Sequence, residues 1–224
     1  DLQFKLLTMS AVDFLKEWFE SDELIAPMSC SGIIGTFLGV KSPGTAYVLL
    51  HHYMGEIDGA SRAWGFARGG NGGLSDAIAA SAQHFGAEIR TSTPVQKIIV
   101  EKGEAKGVVL ENGGELRAKT VISCCDPRLT FSGLVGTEHL PDEFVTAIKR
   151  YQFRGSSGKV NLALDRFPEF SCRPGDGPHV RGDVAIAPST DYLERAYDDA
   201  KYGDFSRRPY LNIVFPSLLD RTMA

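Results

Sequence analysis

Residues 69–73 read Gly-Gly-Asn-Gly-Gly and run into an apolar-periodic segment, the composition of a backbone loop that could cradle a phosphate. A dinucleotide fingerprint needs Gly-x-Gly-x-x-Gly between a strand and a helix. Its glycines allow a tight turn, close approach of backbone to pyrophosphate and close helix packing. Here Gly70-Asn71-Gly72-Gly73-Leu74-Ser75 puts Ser75 where the third glycine belongs, and residues 61–67 have no strand pattern. The P-loop pattern fails too, because no Lys-Ser/Thr follows at the required spacing. The residues themselves favour a flexible entry into a helix over a phosphate site.

Other chemistry-bearing residues are sparse. His51 and His52 are neighbours, so on a helix they point roughly 100° apart and do not share a metal in the i, i+4 manner. Even with Glu56 and Asp58 nearby, they read as a surface or cavity-lining pair, and no metal site is expected. Cys124-Cys125-Asp126 has no local His or Lys to lower a thiol pKa, which favours a buried strand end over a reactive thiol. Cys30, Cys124, Cys125 and Cys172 form no CxxC pair, pointing to a reduced, intracellular (cytoplasmic) setting. Arg181-Gly182-Asp183 spells an integrin-binding tripeptide, which chance explains in that setting. No general base or nucleophile stands out.

The elements that would position these residues are legible from periodicity. Ser10 is placed to cap a helix with Val12, Leu15, Trp18 and Phe19 on one face, closed by Pro27. Residues 45–54 read as a buried helix, 55–73 as loop, and 74–85 as a helix with a Leu74, Ile78, Ala82, Phe85 stripe stopped by Gly86. Residues 87–90 read as a short strand. A β-meander is expected over 95–124, with turns at Lys102-Gly103 and Asn112-Gly113. Helices follow near 128–135 and 142–151, the second opened by Pro141. Strands are expected at 158–165, 183–187 and 210–215, with a helix after Ser189 or Thr190 carrying Leu193, Ala196, Tyr197 and Ala200.

The 224 residues are 43% hydrophobic and 23% charged, ordinary for a globular chain, and the net charge of −4 argues against a nucleic-acid partner. The apolar run at 32–40 is too short and too rich in glycine to span a membrane. The chain opens on Asp1 and stops after a strand-like run, so an internal piece of a longer protein is expected.

Read in order, several phrases become specific: the Trp64-Gly65 pair, the loop and helix at 69–74, Gly-Ala-Glu-Ile at 86–89, Val95-x-x-Ile98, residues 107–113, and the return at 118–127. Together they resemble the middle of phytoene-desaturase-like, FAD-dependent oxidoreductases of the flavin amine oxidase superfamily, nearest the pyridine nucleotide-disulfide-oxidoreductase-like branch. Residues 157–170 and 187–203 resemble the same family's substrate domain.

The resemblance implies a mixed α/β (α+β) fold in three stretches. Residues 1–60 are substrate-domain helices, 61–127 a partial FAD-binding domain with the meander, and 128–224 substrate-domain sheet and helices. It implies that Val95 meets the adenine through its backbone, and that the strand ending near Cys124 re-enters the nucleotide domain. Gly69 and Gly70 would link the two domains along the cavity. The family's GxGxxG and its C-terminal glycine-rich flavin segment are both missing, so FAD belongs to the parent protein and is not expected to stay with this chain alone. Flavin dehydrogenation leans on the cofactor's own chemistry, so catalytic residues are left unassigned. The partners implied are a small apolar, isoprenoid-like or amine substrate, a peripheral membrane contact, and a second copy docking on an exposed apolar face. A non-catalytic flavin-fold remnant that binds lipid or protein is the alternative.

Overall fold

The computed structural model describes residues 1–61, 65–155 and 157–223; Trp64 of the Trp64-Gly65 pair lies outside them. The architecture is mixed α+β: helices α1 (Leu2–Thr8), α2 (Ala11–Lys16), α3 (Asp22–Ser29) and α4 (Thr45–Tyr53), a hairpin β1 (Glu56–Ile57) and β2 (Ala60–Ser61), and helix α5 (Gly70–His84). The meander β3 (Val95–Glu101), β4 (Glu104–Leu110) and β5 (Glu115–Arg117) follows, then a wide π-helical turn over Leu129–Val135 and α6 (Asp142–Arg150). Strand β6 (Val184–Ile186), helix α7 (Thr190–Lys201) and strand β7 (Leu211–Ile213) complete the order. The residues group into two compact units, one formed by Asp1–Ile78 with Arg154–Ala224, the other by Ala79–Phe153.

The first unit is held by caps and one apolar cluster. The Ser10 hydroxyl oxygen accepts from the Asp13 N–H at 3.0 Å and its O–H donates to the Asp13 carboxylate at 2.7 Å, a local signal that starts α2 at Ala11. Ala11, Val12 and Leu15 then pack with Ile25, Ala26, Cys30, Val40, Leu49 and Leu193. Thr45 is fully buried yet satisfied, accepting from the Ala11 N–H at 2.8 Å and donating to the Ser42 carbonyl at 2.7 Å. Helix α4 buries Thr45, Ala46 and Leu49 but exposes Tyr47, Leu50 and Tyr53, so only part of the expected buried helix is covered. Strands β6 and β7 pair antiparallel with Val184 opposite Ile213, and Ser189, not Thr190, caps α7.

The second unit is built on the meander, ordered β3-β4-β5 and antiparallel throughout. Lys102 and Gly103 both take positive φ, 54° and 79°, between the paired Glu101 and Glu104, the two-residue turn whose twist matches a hairpin. At the second turn the Asn112 side chain accepts from the Gly114 N–H at 3.0 Å while Gly113 takes φ 84°. Ile98 and Leu110 from the sheet and Val145 and Ile148 from α6 are its buried apolar residues.

Several expectations are corrected. Trp18 lies beyond the end of α2 and is 65% exposed, because the helix stops at Lys16. Pro27 sits inside α3; that helix is short, and the ring removes one N–H without ending it. Helix α5 starts at Gly70, not Leu74, and no residue along it is buried; Leu74, Ile78 and Phe85 all face solvent. Its end is as expected: Gly86 takes φ 90°, and the Ala87 N–H reaches back to the Ala82 carbonyl at 3.0 Å. Residues 87–90 and 158–165 form no strand, since a strand needs a hydrogen-bonding neighbour and none among the described residues pairs with them. The third meander strand ends at Arg117, so the return does not run on as strand to Cys124. Cys124 and Cys125 are exposed, not a buried strand end.

Candidate functional site

The glycine turn is organised by a residue far away in sequence. Gly69 and Gly70 take φ 77° and 68°, a left-handed pair that a side chain would strain. The Gly73 N–H donates to the Gly69 carbonyl at 3.3 Å, closing the first turn of α5. The Arg68 carbonyl oxygen would lie only 2.3 Å from a Cβ placed on Gly73, so that glycine is required by close backbone approach. The Gly69 N–H donates to Asp220 Oδ2 at 2.7 Å, while Asp220 Oδ1 accepts from the Thr222 N–H at 2.9 Å and its hydroxyl at 2.7 Å. These bonds, the Thr222 hydroxyl first and the Gly69 amide next, hold the Asp220 carboxyl below the usual aspartate range, with Arg68 adding its charge. The Met223 side chain lies over Gly70. A helix N-terminus favours an anion, and here the anion is the chain's own carboxylate.

Of the residues marked from the sequence, Gly69 and Gly70 therefore lie together in the first unit, and Val95 and Cys124 lie in the second. Val95 opens β3 opposite Leu110 and is 37% exposed; Cys124 is exposed and lies outside any strand. Close to Cys124 in sequence, a cleft of about 470 Å³ is walled by Ile98, Val100, Val121 and Phe131, with Cys125 and His139 at its polar edge. Inside it the Ser123 and Thr130 hydroxyls are 2.7 Å apart and satisfy each other.

His52 Nδ1 lies 2.9 Å from the Val48 carbonyl, and among the described residues no three His, Cys, Asp or Glu side chains gather as metal ligands. Burial pushes the Cys30 thiol up to about 11 and the Tyr210 phenol beside it up to about 12, so both are neutral core groups. No helix among the described residues is long and apolar enough to cross a membrane.

Asp220 escaped the sequence reading. Asp220-Arg221-Thr222 carries the local signal of an Asx turn, but nothing in it points to a partner 151 residues away.

The family described as flavin containing amine oxidoreductase matches residues 12–199. The chain is similar to rat pyridine nucleotide-disulfide oxidoreductase domain-containing protein 2, 40% identical over 99% of this chain and 39% of that protein. It is also similar to carrot chloroplastic prolycopene isomerase, 31% identical over 97% of this chain and 32% of the relative. A Methylomonas 4,4'-diapophytoene desaturase matches at 34% identity over 42% of this chain and 19% of that protein. The chain spans about two fifths of the length of the rat and mouse relatives it matches. No solved structure matches.

Proposed function

The chain belongs to the flavin containing amine oxidoreductase family, and from that premise we propose that it is part of an FAD-dependent oxidoreductase acting on an apolar, isoprenoid-like substrate. The observation that carries this reading is the family match over residues 12–199, joined to relatives named as a prolycopene isomerase and a 4,4'-diapophytoene desaturase. A free-standing lipid- or protein-binding module is not favoured by that company.

FAD, when bound, supplies the hydride-accepting chemistry; the polypeptide contributes orientation and a dry apolar wall. The glycine turn does not fit the pyrophosphate of such a cofactor. Its leading N–H is held by Asp220, and the Arg68 carbonyl fills the space over Gly73. In this reading the pyrophosphate is held by sequence outside these 224 residues, with Val95 and Cys124 facing the nucleotide. The exposed Leu74 and Ile78 belong, in this reading, to the surface on which the rest of the fold, or a second copy, docks. In this reading the setting is intracellular, with peripheral contact to a membrane.

The test is to extend the reading frame to its own start and stop codons and to purify that product beside the 224-residue chain. The longer protein is expected to carry stoichiometric FAD that is reduced by an isoprenoid or carotenoid substrate, while the shorter chain purifies colourless. A longer protein that neither retains nor takes up FAD overturns the assignment.

A further inference from the structure

The first turn of α5 is helix against its own sequence. Gly70, Gly72 and Gly73 lower helix propensity more than any residue but proline, and the apolar periodicity begins only at Leu74. In a capping box, a Glu or Gln in the first turn reaches back to the N–H of the capping residue. The capping residue here is Gly69, the third helical position is Gly72, and Gly72 has no side chain to reach back with. Asp220 does it instead, its Oδ2 accepting the Gly69 N–H at 2.7 Å from 151 residues away. The carboxylate is held in place by Thr222 at 2.7 and 2.9 Å, and the Met223 side chain covers Gly70. Arg68 is the cation whose charge acts on Asp220.

We propose that residues 220–223 are a latch that folds the first turn of α5: when it is closed, Gly70–Gly73 are helical, and when it opens they revert to a loop leading to a helix that starts at Leu74. The two states share the rest of α5, because Leu74–His84 keeps its own propensity and its own stop at Gly86. The latch is thus a conformational device that sets where the helix begins.

Residue-resolved amide hydrogen exchange on the 224-residue chain tests this. Asp220→Ala should speed exchange at the Gly69 and Gly73 amides by about tenfold or more, while amides of residues 80–83 later in α5 and of the β3–β4 ladder stay within about twofold. Asp220→Asn, which keeps an oxygen acceptor without the charge, should fall between. The rescue is specific: Gly72 has open space around its Cβ position, so Gly72→Glu in the Asp220→Ala background supplies a local carboxylate, the Glu arm of a capping box, and should restore protection at Gly69 and Gly73. If Asp220→Ala does not fold, the comparison of Asp220→Asn with and without Gly72→Glu carries the same test. Unchanged exchange at Gly69 and Gly73, acceleration of all α5 amides together, or no rescue by Gly72→Glu overturns the latch.

Discussion

The Asp22 carboxylate grips Thr190 twice, accepting from its hydroxyl at 2.8 Å and from its backbone N–H at 3.1 Å. The pair ties α3 to the first residue of α7 across 168 positions of sequence. It adds to the local cap, in which the Ser189 hydroxyl oxygen accepts from the Tyr192 N–H at 3.1 Å. Thr190 is buried, so removing its partner leaves polar groups without a replacement. Asp22→Ala should cost about 1–2 kcal/mol in urea unfolding, and Thr190→Val, which keeps the N–H bond, roughly half as much. Equal stability of Asp22→Ala and the parent would show the bridge to be idle.

Gly107 is the point at which the meander tolerates no side chain. Its φ is 144°, and a Cβ there would meet the Leu116 carbonyl oxygen at 2.1 Å. That oxygen belongs to β5, so relief requires parting the two strands. Gly107→Ala should destabilise the second unit by on the order of 3 kcal/mol, with exchange protection lost first across the β4–β5 pairs. Protection at Val108 and Val109 that matches the parent would refute the close approach.

The four thiols should divide three to one. Cys124, Cys125 and Cys172 are exposed, while Cys30 is buried with its Sγ–H donating to the Ala26 carbonyl at 3.4 Å. A thiol-specific dye should react with three thiols quickly and with the fourth only on unfolding. Two fast thiols, or four, would contradict the burial pattern.

Cys30 and the half-buried Tyr210 beside it set an alkaline limit. Folding raises Cys30 from 9.0 to about 11 and Tyr210 from 10.0 to about 12, so the folded chain holds these protons more tightly than the unfolded one. Their contribution is fully present below the unfolded values and is lost as pH rises from there through the folded values. Urea midpoints should fall from about pH 9 upward, and Cys30→Ala with Tyr210→Phe should flatten that fall. An unchanged slope in the double variant would assign the alkaline loss elsewhere.

At the acid end the sign reverses. Asp220 is depressed below 3.8, so what it contributes is present above that value and disappears as pH falls through its lower folded value. The Gly69 amide proton should report this directly, shifting with a midpoint below 3.8 that vanishes in Asp220→Asn. A Gly69 amide that ignores the titration would separate it from the carboxylate.

Local chemistry made much of the fold legible. Ser10 reads as a cap, Ser189 or Thr190 as another, Lys102-Gly103 and Asn112-Gly113 as turns, and Gly86 as a stop, because each signal and its effect lie within a few residues. The alternation at 158–165 and the short strand expected at 87–90 mislead for a reason of the same kind. Periodicity reports which faces need cover, whereas a strand also needs a neighbour that no local pattern supplies. The start of α5 was missed because its capping oxygen comes from Asp220. The stripe expected at Leu74, Ile78, Ala82 and Phe85 does not show burial: Leu74, Ile78 and Phe85 are exposed, because periodicity alone does not say whether a face is covered.

The first unit is discontinuous in sequence, and the second is one unbroken stretch, Ala79–Phe153. On a ribosome the two parts therefore mature on different schedules. The meander and its helices need only near neighbours and can close as soon as they emerge, because short loops lose little entropy on closure and local contacts form quickly. Asp22 is made 168 residues before Thr190, so α2, α3 and α4 pack on one another first and α3 waits for α7 and Leu193 to complete the cluster. During that interval the face of α3 that meets α7 stays uncovered, open to chaperones and to aggregation.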